Sequence, residues 1–294
     1  MILTLLGGKG SPGVTTTAVT MVLRWPRPVL LVEADPSGAS IGYGYGQGAD
    51  GGGRGLLGAQ LAARHGNPAR AIWTNVVAFG PDRWVLPGVD EPRQAATIDY
   101  PALIDALAGL GMDVIVDAGR IPGAVRIDGL LAASDRLLVV LRPTLAGVHT
   151  AQTTATAAAS IIGGAPGAVG SVILGPGRPY PEADVRAAMR DIAPVAGIVA
   201  WDPAAAAVIT DGTPASRRWA ASPLLRSVTR LATALAGLEP EPLTRAAGSG
   251  EPDLATQTTA PAAAATDGAA AITLGGPDWA YVPAGPAAGQ GGIR

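Results

Sequence analysis

A glycine-rich turn near the start of the chain constrains the fold more than any other stretch. Residues 7–17 read GGKGSPGVTTT, follow an apolar run over residues 2–6, and lead into a segment with helical apolar spacing. The pattern predicts a short buried strand, a turn and a helix. The free amides and the dipole at such a helix N-terminus favour an anion, so this stretch indicates a phosphate-binding loop.

The loop matches the template G-x-x-x-x-G-K-[ST] at Gly8, Gly13 and Thr15, with Val14 in place of the lysine. Thr15 still offers a hydroxyl to Mg²⁺, whereas the cation that reaches the β- and γ-phosphates is missing. The predicted cofactor-binding residues are Gly8, Lys9, Gly10, Ser11, Pro12, Gly13, Val14, Thr15 and Thr16.

Lys9 is the only lysine among 21 basic residues, and it lies inside this loop. In a narrow phosphate-binding loop, the compact ammonium group of lysine and the planar guanidinium group of arginine are not interchangeable. Lys9 therefore indicates a phosphate ligand, although a single lysine must fall somewhere in any chain.

The stretch resembles the ParA/MinD group of P-loop ATPases, which carries a deviant Walker A motif. The group's pattern, K-G-G-x-G-K-T-T, is met over residues 9–16, with Ser11 for a glycine and Val14 for the lysine. The resemblance implies that Lys9 reaches across a nucleotide-sandwich dimer to the phosphates of the partner. Lys9 and Asp35 are the catalytic residues that it implies.

Two acidic motifs support the resemblance. The group's D-x-D-P-x-G motif is met by residues 33–38, which implies that Asp35 orients the attacking water or a metal-bound water; an ordinary Asp-Pro turn is the alternative. An apolar strand ending at Asp117 has the Walker B pattern, in which the carboxylate holds Mg²⁺. Thr15, Asp35 and Asp117 form the predicted metal site.

Later segments continue the resemblance to about residue 236. Residues 134–143 match a strand motif of the group, and residues 202–214 match a segment ending in x-G-x-P. No asparagine follows the strand predicted at residues 171–174, where the group commonly contacts adenine. Arg120 intrudes after Asp117, either as an ordinary loop arginine or as a replacement for the charge missing at Val14.

The alternation of strands and helices predicts an α/β fold, with a doubly wound, mainly parallel sheet and helices on both faces. We expect a P-loop ATPase-like domain over residues 1–238 and a disordered tail rich in proline, alanine and glycine over residues 239–294. The absence of cysteine excludes disulfides and thiolate metal sites. The sequence shows neither a membrane span nor a signal peptide, which favours a cytoplasmic protein.

Two segments allow alternative interpretations. The glycine-rich residues 38–58, with Tyr43 and Tyr45, fit either a switch loop or a flexible connector, and the tyrosines fit either a partner surface or packing at the edge of the core. An apolar stripe near the end of the domain fits a closing helix or, less well, a membrane-surface helix. The stripe consists of Leu224, Leu225, Val228, Leu231, Leu235 and Leu238.

The resemblance implies a switch that dimerises on ATP and Mg²⁺, hydrolyses ATP slowly, and positions a cargo or partner complex. The alternative is a pseudo-ATPase scaffold that keeps the fold without turnover, for which Val14 is the main argument. A homodimer and a protein partner of a partitioning, division, pilus or secretion system are expected. DNA fits less well as a partner, because the arginines are dispersed along the sequence and the net charge is −2. A membrane surface is a further alternative.

Overall fold

A computed structural model describes residues 1–10, 12–46, 54–120, 127–163 and 169–237. The strands in these ranges are β1 (Ile2–Gly7), β2 (Val29–Glu33), β3 (Val77–Gly80), β4 (Arg83–Leu86), β5 (Asp113–Arg120), β6 (Arg136–Leu141), β7 (Val169–Leu174) and β8 (Val195–Val199). The helices are α1 (Val14–Arg24), α2 (Leu56–Ala63), α3 (Pro68–Asn75), α4 (Pro92–Ala95), α5 (Tyr100–Ala108), α6 (Asp128–Ala132), α7 (Leu145–Ile161), α8 (Glu182–Met189), α9 (Pro203–Thr210) and α10 (Pro223–Leu235). Single 3-10 turns span Ile41–Tyr43 and Trp219–Ala221.

The described strands form one sheet in the order β3-β4-β2-β5-β1-β6-β7-β8. Neighbouring strands run parallel except for β3, which pairs antiparallel with β4 at one edge. The order reverses direction on either side of β1, as in a doubly wound sheet. The predicted fold class is confirmed.

The apolar runs of the central strands divide between two cores, one on each face of the sheet. In β1, Ile2 and Leu6 face one core, whereas Leu3 and Leu5 face the other. Helices α2 to α8 contribute to the first core, and α1, α9 and α10 to the second. Burial on both faces explains why these strands are continuously apolar rather than alternating.

The register of the central strands brings three loops together at one edge of the sheet. Glu33 at the end of β2 lies opposite Asp117 in β5, and Gly7 at the end of β1 lies opposite Arg120. Ligands of doubly wound sheets bind at the carboxyl ends of the strands, near the reversal of strand order. The fold therefore places residues 7–13, 33–38 and 117–120 where a ligand site is expected.

Helix α10 closes the second core. Its apolar residues Leu224, Val228 and Leu231 are buried, and its partners are α1 and β8. Ser222 caps the helix by accepting a hydrogen bond from the Leu225 amide, at 3.3 Å. The closing-helix interpretation is confirmed, and the membrane-surface interpretation is wrong because this apolar face is already covered; Leu238 lies outside the described residues. No helix in the described part of the chain has the length and apolarity to cross a bilayer.

Several short helices were not expected from the sequence. Helices α3 and α9 each begin with proline after a capping side chain: Asn67 accepts from the Arg70 amide at 3.1 Å, and Asp202 from the Ala205 amide at 3.1 Å. These helices have eight residues each, too few for a clear apolar period to show in the sequence. Local capping and tertiary packing define them instead.

We expect Leu231→Ala to lower the free energy of unfolding by about 2–5 kcal/mol, because it removes a buried side chain and leaves a cavity. Leu231 is 4% exposed, and its Cδ1 lies 2.5 Å from the position that a Cβ on Gly197 would take. Urea denaturation measures the change. The neighbouring exposed variant Arg230→Ala is the control and should stay within about 0.5 kcal/mol of wild type; equal effects of the two variants would contradict this packing.

Candidate functional site

The loop between β1 and α1 leaves backbone amides free at a helix N-terminus. Gly10 and Gly13 have φ angles of 93° and 102°, a region that favours glycine, and no side chain caps α1. The first helical bond is donated by the Thr17 amide to the Gly13 carbonyl, at 3.0 Å. The amides of residues 14–16 therefore lack helical acceptors and suit a phosphate. Ser11, one of the predicted ligands, lies outside the described residues.

Two glycines let other elements approach this loop closely. A Cβ on Gly8 would lie 2.6 Å from the Thr150 hydroxyl of α7, and one on Gly7 would lie 2.6 Å from Cγ2 of Val14. Both distances are shorter than any tolerated contact. A larger residue at either position would displace the loop, so the glycines maintain its shape.

Val14 packs into the second core with 6% of its surface exposed. It occupies the position of the template lysine, and its apolar side chain contacts neighbouring apolar groups instead of carrying a charge to the loop. Lys9 is exposed and forms no ion pair or hydrogen bond with any described residue. The only ammonium that the loop carries is therefore directed to solvent.

Asp117 is the central acidic group of the site. Its carboxyl group is fully buried; Oδ1 accepts from the Gly119 amide at 3.1 Å, and Oδ2 has no hydrogen-bond partner. Burial raises the pKa of this carboxyl to about 7, and the charges of Glu33 and Asp35 add to the rise. The Thr15 hydroxyl and the Gly119 amide oppose it.

Asp35 lies against Gly119, two residues after Asp117. Its Oδ1 accepts from the Ser37 amide at 2.7 Å, and its Cγ lies 2.1 Å from the position that a Cβ on Gly119 would take. Gly119 lies within β5 and has a φ of 59°, so this position of the strand both favours glycine and makes room for the Asp35 carboxyl. The structure thus brings Asp35, Asp117 and Thr15 together, as the sequence predicted, and their roles in catalysis and metal binding stay predictions.

The Asp117 carboxyl fits a Mg²⁺ site, because its Oδ2 has no hydrogen-bond partner and the Thr15 hydroxyl stabilises its charged form. A buried carboxylate oxygen without a donor is costly unless a cation or another partner satisfies it. Mg²⁺ takes oxygen ligands and uses only one or two carboxylates, with water and phosphate completing its shell. The described residues hold no cluster of three or more His, Asp or Glu side chains that could bind a metal on their own.

Glu33 is a structural residue of the site that the sequence analysis did not identify. It is 1% exposed; Oε1 accepts from the amides of Ser40 at 2.5 Å and Ile41 at 3.0 Å, and Oε2 accepts from Gly88 at 3.2 Å. Burial raises its pKa, and these amides oppose the rise. Glu33 holds the loop after β2 to the loop after β4.

The start of the glycine-rich loop is tied to the domain. The Tyr45 amide donates to the Ile209 carbonyl at 2.9 Å, and the Tyr45 ring contacts Phe79 and Trp219, with centroids 5.2 and 5.9 Å apart. Tyr43 is 76% exposed. Tyr45 therefore packs at the edge of the core, as one of the two interpretations predicted. For Tyr43, a partner surface stays a prediction. Residues 47–53 of the loop lie outside the described part.

A second missed residue lies further along the same sheet edge. Trp201 follows β8 and is 38% exposed, and the Arg142 guanidinium lies 4.9 Å from the centre of its ring. Gly175, which follows β7, has a φ of 73° and packs against the Trp201 Cβ. This ring offers a flat apolar surface near the predicted base site. The sequence analysis looked for an asparagine after β7 and therefore did not identify Trp201. Arg120 is exposed at the end of β5, opposite Gly7.

Comparisons with known proteins agree with this architecture. No protein-family model and no curated protein matches the chain. Among solved structures, the cell division ATPase MinD of Pyrococcus furiosus is 20% identical, with a TM-score of 0.62 over 80% of this chain and 98% of that one. The septum site-determining protein MinD of Pyrococcus horikoshii OT3, complexed with Mg-ADP, is 18% identical, with a TM-score of 0.61 over 80% and 95%.

A ParA family ATPase from Chlorobium tepidum TLS is 16% identical, with a TM-score of 0.60 over 79% of this chain and 98% of that one. At such identities the likeness shows the fold. The chain therefore has the ParA/MinD-type α/β fold, in agreement with the resemblance of its motifs.

We expect Asp117→Asn to remove a pH dependence of stability in the nucleotide-free protein. The folded-state pKa of Asp117 is raised from 3.8 to about 7, so its contribution to stability is fully present below 3.8 and is lost as pH rises through about 7. Relative to the variant, wild type should lose on the order of 2–4 kcal/mol between pH 4 and pH 8.

Denaturant unfolding in EDTA at several pH values measures this difference. The exposed variant Asp105→Asn is the control and should follow wild type. Parallel pH curves for wild type and Asp117→Asn would show that the buried carboxyl does not titrate in this range.

Proposed function

We propose that the chain is a nucleotide-dependent switch of the ParA/MinD kind, which binds ATP with Mg²⁺ and hydrolyses it slowly. The observation that carries this proposal is the unpaired, buried Oδ2 of Asp117 beside Thr15, at the N-terminus of an uncapped helix. One element supplies free amides for phosphate, and the other supplies an acceptor for a cation. The Mg-ADP bound to the MinD of P. horikoshii supports the same class of ligand.

In this proposal the amides of residues 14–16 hold the phosphates, and Thr15 and Asp117 hold Mg²⁺. Bound Mg²⁺ supplies charge neutralisation to the phosphates. Asp35, held by the Ser37 amide, accepts a hydrogen bond from the attacking water and so orients it. Its partial burial next to Gly119 restricts the carboxyl to one side of the site.

Lys9 acts between subunits in the proposed homodimer. Its side chain is exposed and has no partner among the described residues, so it is available to the phosphates of a second copy. Lys9 of one copy would supply to the other copy part of the positive charge that the template lysine carries and Val14 lacks. Because phosphoryl transfer depends on positive charge placed around the phosphates, the loss at Val14 accounts for slow hydrolysis.

Trp201 provides a surface on which the nucleobase stacks. Its ring is part-exposed at the carboxyl end of β8, and the Arg142 guanidinium lies over it. Stacking on an aromatic face is tolerant of base identity, because every base has such a face. We infer weak discrimination among purine nucleotides.

A pseudo-ATPase scaffold is the second candidate, and the packing of Val14 favours it. The side chain is an integral part of the second core, so the loop keeps its fold without any ammonium at this position. The proposed partners in either case are a second copy and a protein of a partitioning, division, pilus or secretion system.

Calorimetry of the full chain with ATP, with and without Mg²⁺, tests the nucleotide site. We expect Mg²⁺-dependent binding, and a loss on the order of tenfold or more in Asp117→Asn because a carboxylate ligand is removed. Asp105→Asn on α5 should bind as wild type does. Failure to bind ATP at millimolar concentration would reject the switch and leave the scaffold.

Light scattering with ATP and Mg²⁺ tests the role of Lys9. We expect Lys9→Ala to stay monomeric where wild type forms a dimer, because the ammonium that bridges the subunits is gone. Lys9→Arg should form little dimer, since the planar guanidinium group does not fit a position suited to a compact ammonium group. Arg64→Ala removes one positive charge from an exposed position just after α2 and should dimerise normally. An ATP-dependent dimer of Lys9→Ala would rule out the trans role.

A further inference from the structure

A cavity lies between helices α2, α3 and α5. Its volume is about 430 Å³, within the range of small-molecule sites. Its floor is apolar and belongs to the first core, where Leu56, Ile72 and Leu103 are buried. None of the described residues assigned above to nucleotide or Mg²⁺ lines it. The cavity is therefore a candidate site separate from the phosphate-binding loop.

Small side chains on two helices leave this space. Ala59 and Ala63 of α2 and Ala102 and Ala106 of α5 all line the cavity. The members of each pair are four residues apart, so both methyl groups lie on one face of their helix. Protein interiors otherwise contain few voids larger than a water molecule. Alanine at these positions keeps the cavity open, whereas a larger apolar side chain would fill it.

Hydrogen bonds within the domain set the width of the cavity. Helix α3 packs against both α2 and α5. Gln60 of α2 donates through Nε2 to the Thr97 carbonyl at 2.9 Å, and its Oε1 accepts from the Asp99 amide. These two bonds join α2 to the turn that precedes α5. The walls of the cavity are therefore formed by the fold itself, before any ligand binds.

One charged group at the cavity lacks a partner. Arg64 follows α2 directly, and its side chain forms no ion pair or hydrogen bond with any described residue. Among the described residues that line the cavity, it carries the only positive charge. The one acidic residue there, Asp99, caps α5, and its Oδ1 accepts from the Ala102 amide at 3.2 Å. The charge left free at this apolar cavity is therefore positive.

We propose that the cavity binds a small carboxylate with an apolar chain, and that Arg64 pairs with the carboxylate. The chain occupies the apolar floor, as apolar ligands occupy dry cavities lined by such side chains. A guanidinium group pairs with a carboxylate through two parallel hydrogen bonds, which a neutral head group does not match. A cationic head group fits less well, because it would lie beside Arg64. This ligand site is additional to the proposed nucleotide switch.

Saturation-transfer NMR of the full chain with octanoate, octanol and octylammonium tests the proposal. We expect octanoate to bind with a Kd of about 1 mM or less. Octanol and octylammonium have the same chain with a neutral and a cationic head group. They should bind about three- to fivefold more weakly, the range that pairing at an exposed arginine allows. ATP with Mg²⁺ should not displace octanoate, because the two sites share no residue.

Variants locate the ligand in the cavity. Arg64→Gln should weaken octanoate by about three- to fivefold and leave octanol unchanged. Arg70→Gln removes one positive charge from α3 outside the cavity and is its control. Ala63→Leu and Ala102→Leu should each abolish the binding of both ligands, and each should unfold no earlier than wild type in a thermal scan, because the leucine fills the void. Ala62→Leu, at an exposed position of α2 outside the cavity, should bind as wild type does.

Several results would overturn this site. Absence of octanoate binding at about 10 mM would do so, since the expected Kd is tenfold lower. Tighter binding of octylammonium than of octanoate would assign the charged group to Asp99 instead. Octanoate binding that is unchanged in Arg64→Gln, or in both folded leucine variants, would place the ligand elsewhere, as would its displacement by ATP with Mg²⁺. Failure of the nucleotide switch alone would leave octanoate binding intact, so the two proposals are tested separately.

Discussion

One buried carboxylate determines how the site is organised. Asp117 lies within β5 at the centre of the sheet, fully buried, and its Oδ2 has no hydrogen-bond partner. Leaving such an oxygen unpaired opposes folding of the nucleotide-free protein. The surrounding groups are arranged around it: the Gly119 amide donates to Oδ1, the Thr15 hydroxyl stabilises the charged carboxyl, and Asp35 packs against Gly119. In the proposed function, a Mg²⁺ ion held by this oxygen would offset that cost.

Val14 stands where the phosphate-loop template has lysine, and this difference affects the charge of the loop rather than its backbone shape. The template lysine would carry charge to the phosphates, whereas Val14 contributes to the core, with its Cγ2 2.6 Å from the position that a Cβ on Gly7 would take. The loop thereby keeps its backbone shape through packing while losing charge. Shape and charge are separate contributions to phosphate binding, and this chain retains the first with a reduced share of the second.

The sequence predicted most of the fold and the centre of the site, because both depend on local patterns. Buried strands ending in Asp117 or leading to Gly8 can be recognised from a few adjacent residues. Glu33 and Trp201 were missed for a common reason: the partners of Glu33 come from loops after two different strands, and Trp201 meets Arg142 only because β6, β7 and β8 are neighbours. The arginines are dispersed along the sequence, yet Arg24 and Arg226 donate to the adjacent carbonyls of Ala220 and Ala221. Short helices such as α3 depend on caps and packing, which the apolar period does not reveal.

The length of one side chain sets the position of two loops. The motif that residues 33–38 resemble begins with aspartate, whereas this chain has Glu33, which is longer by one methylene. Its carboxylate reaches the amides of Ser40 and Ile41 on one side and of Gly88 on the other. Shortening the side chain by about 1.5 Å would withdraw the acceptor from both loops, and water has no access to replace it. The separation of the loops after β2 and β4 is therefore set from inside the domain, by a carboxylate buried between them.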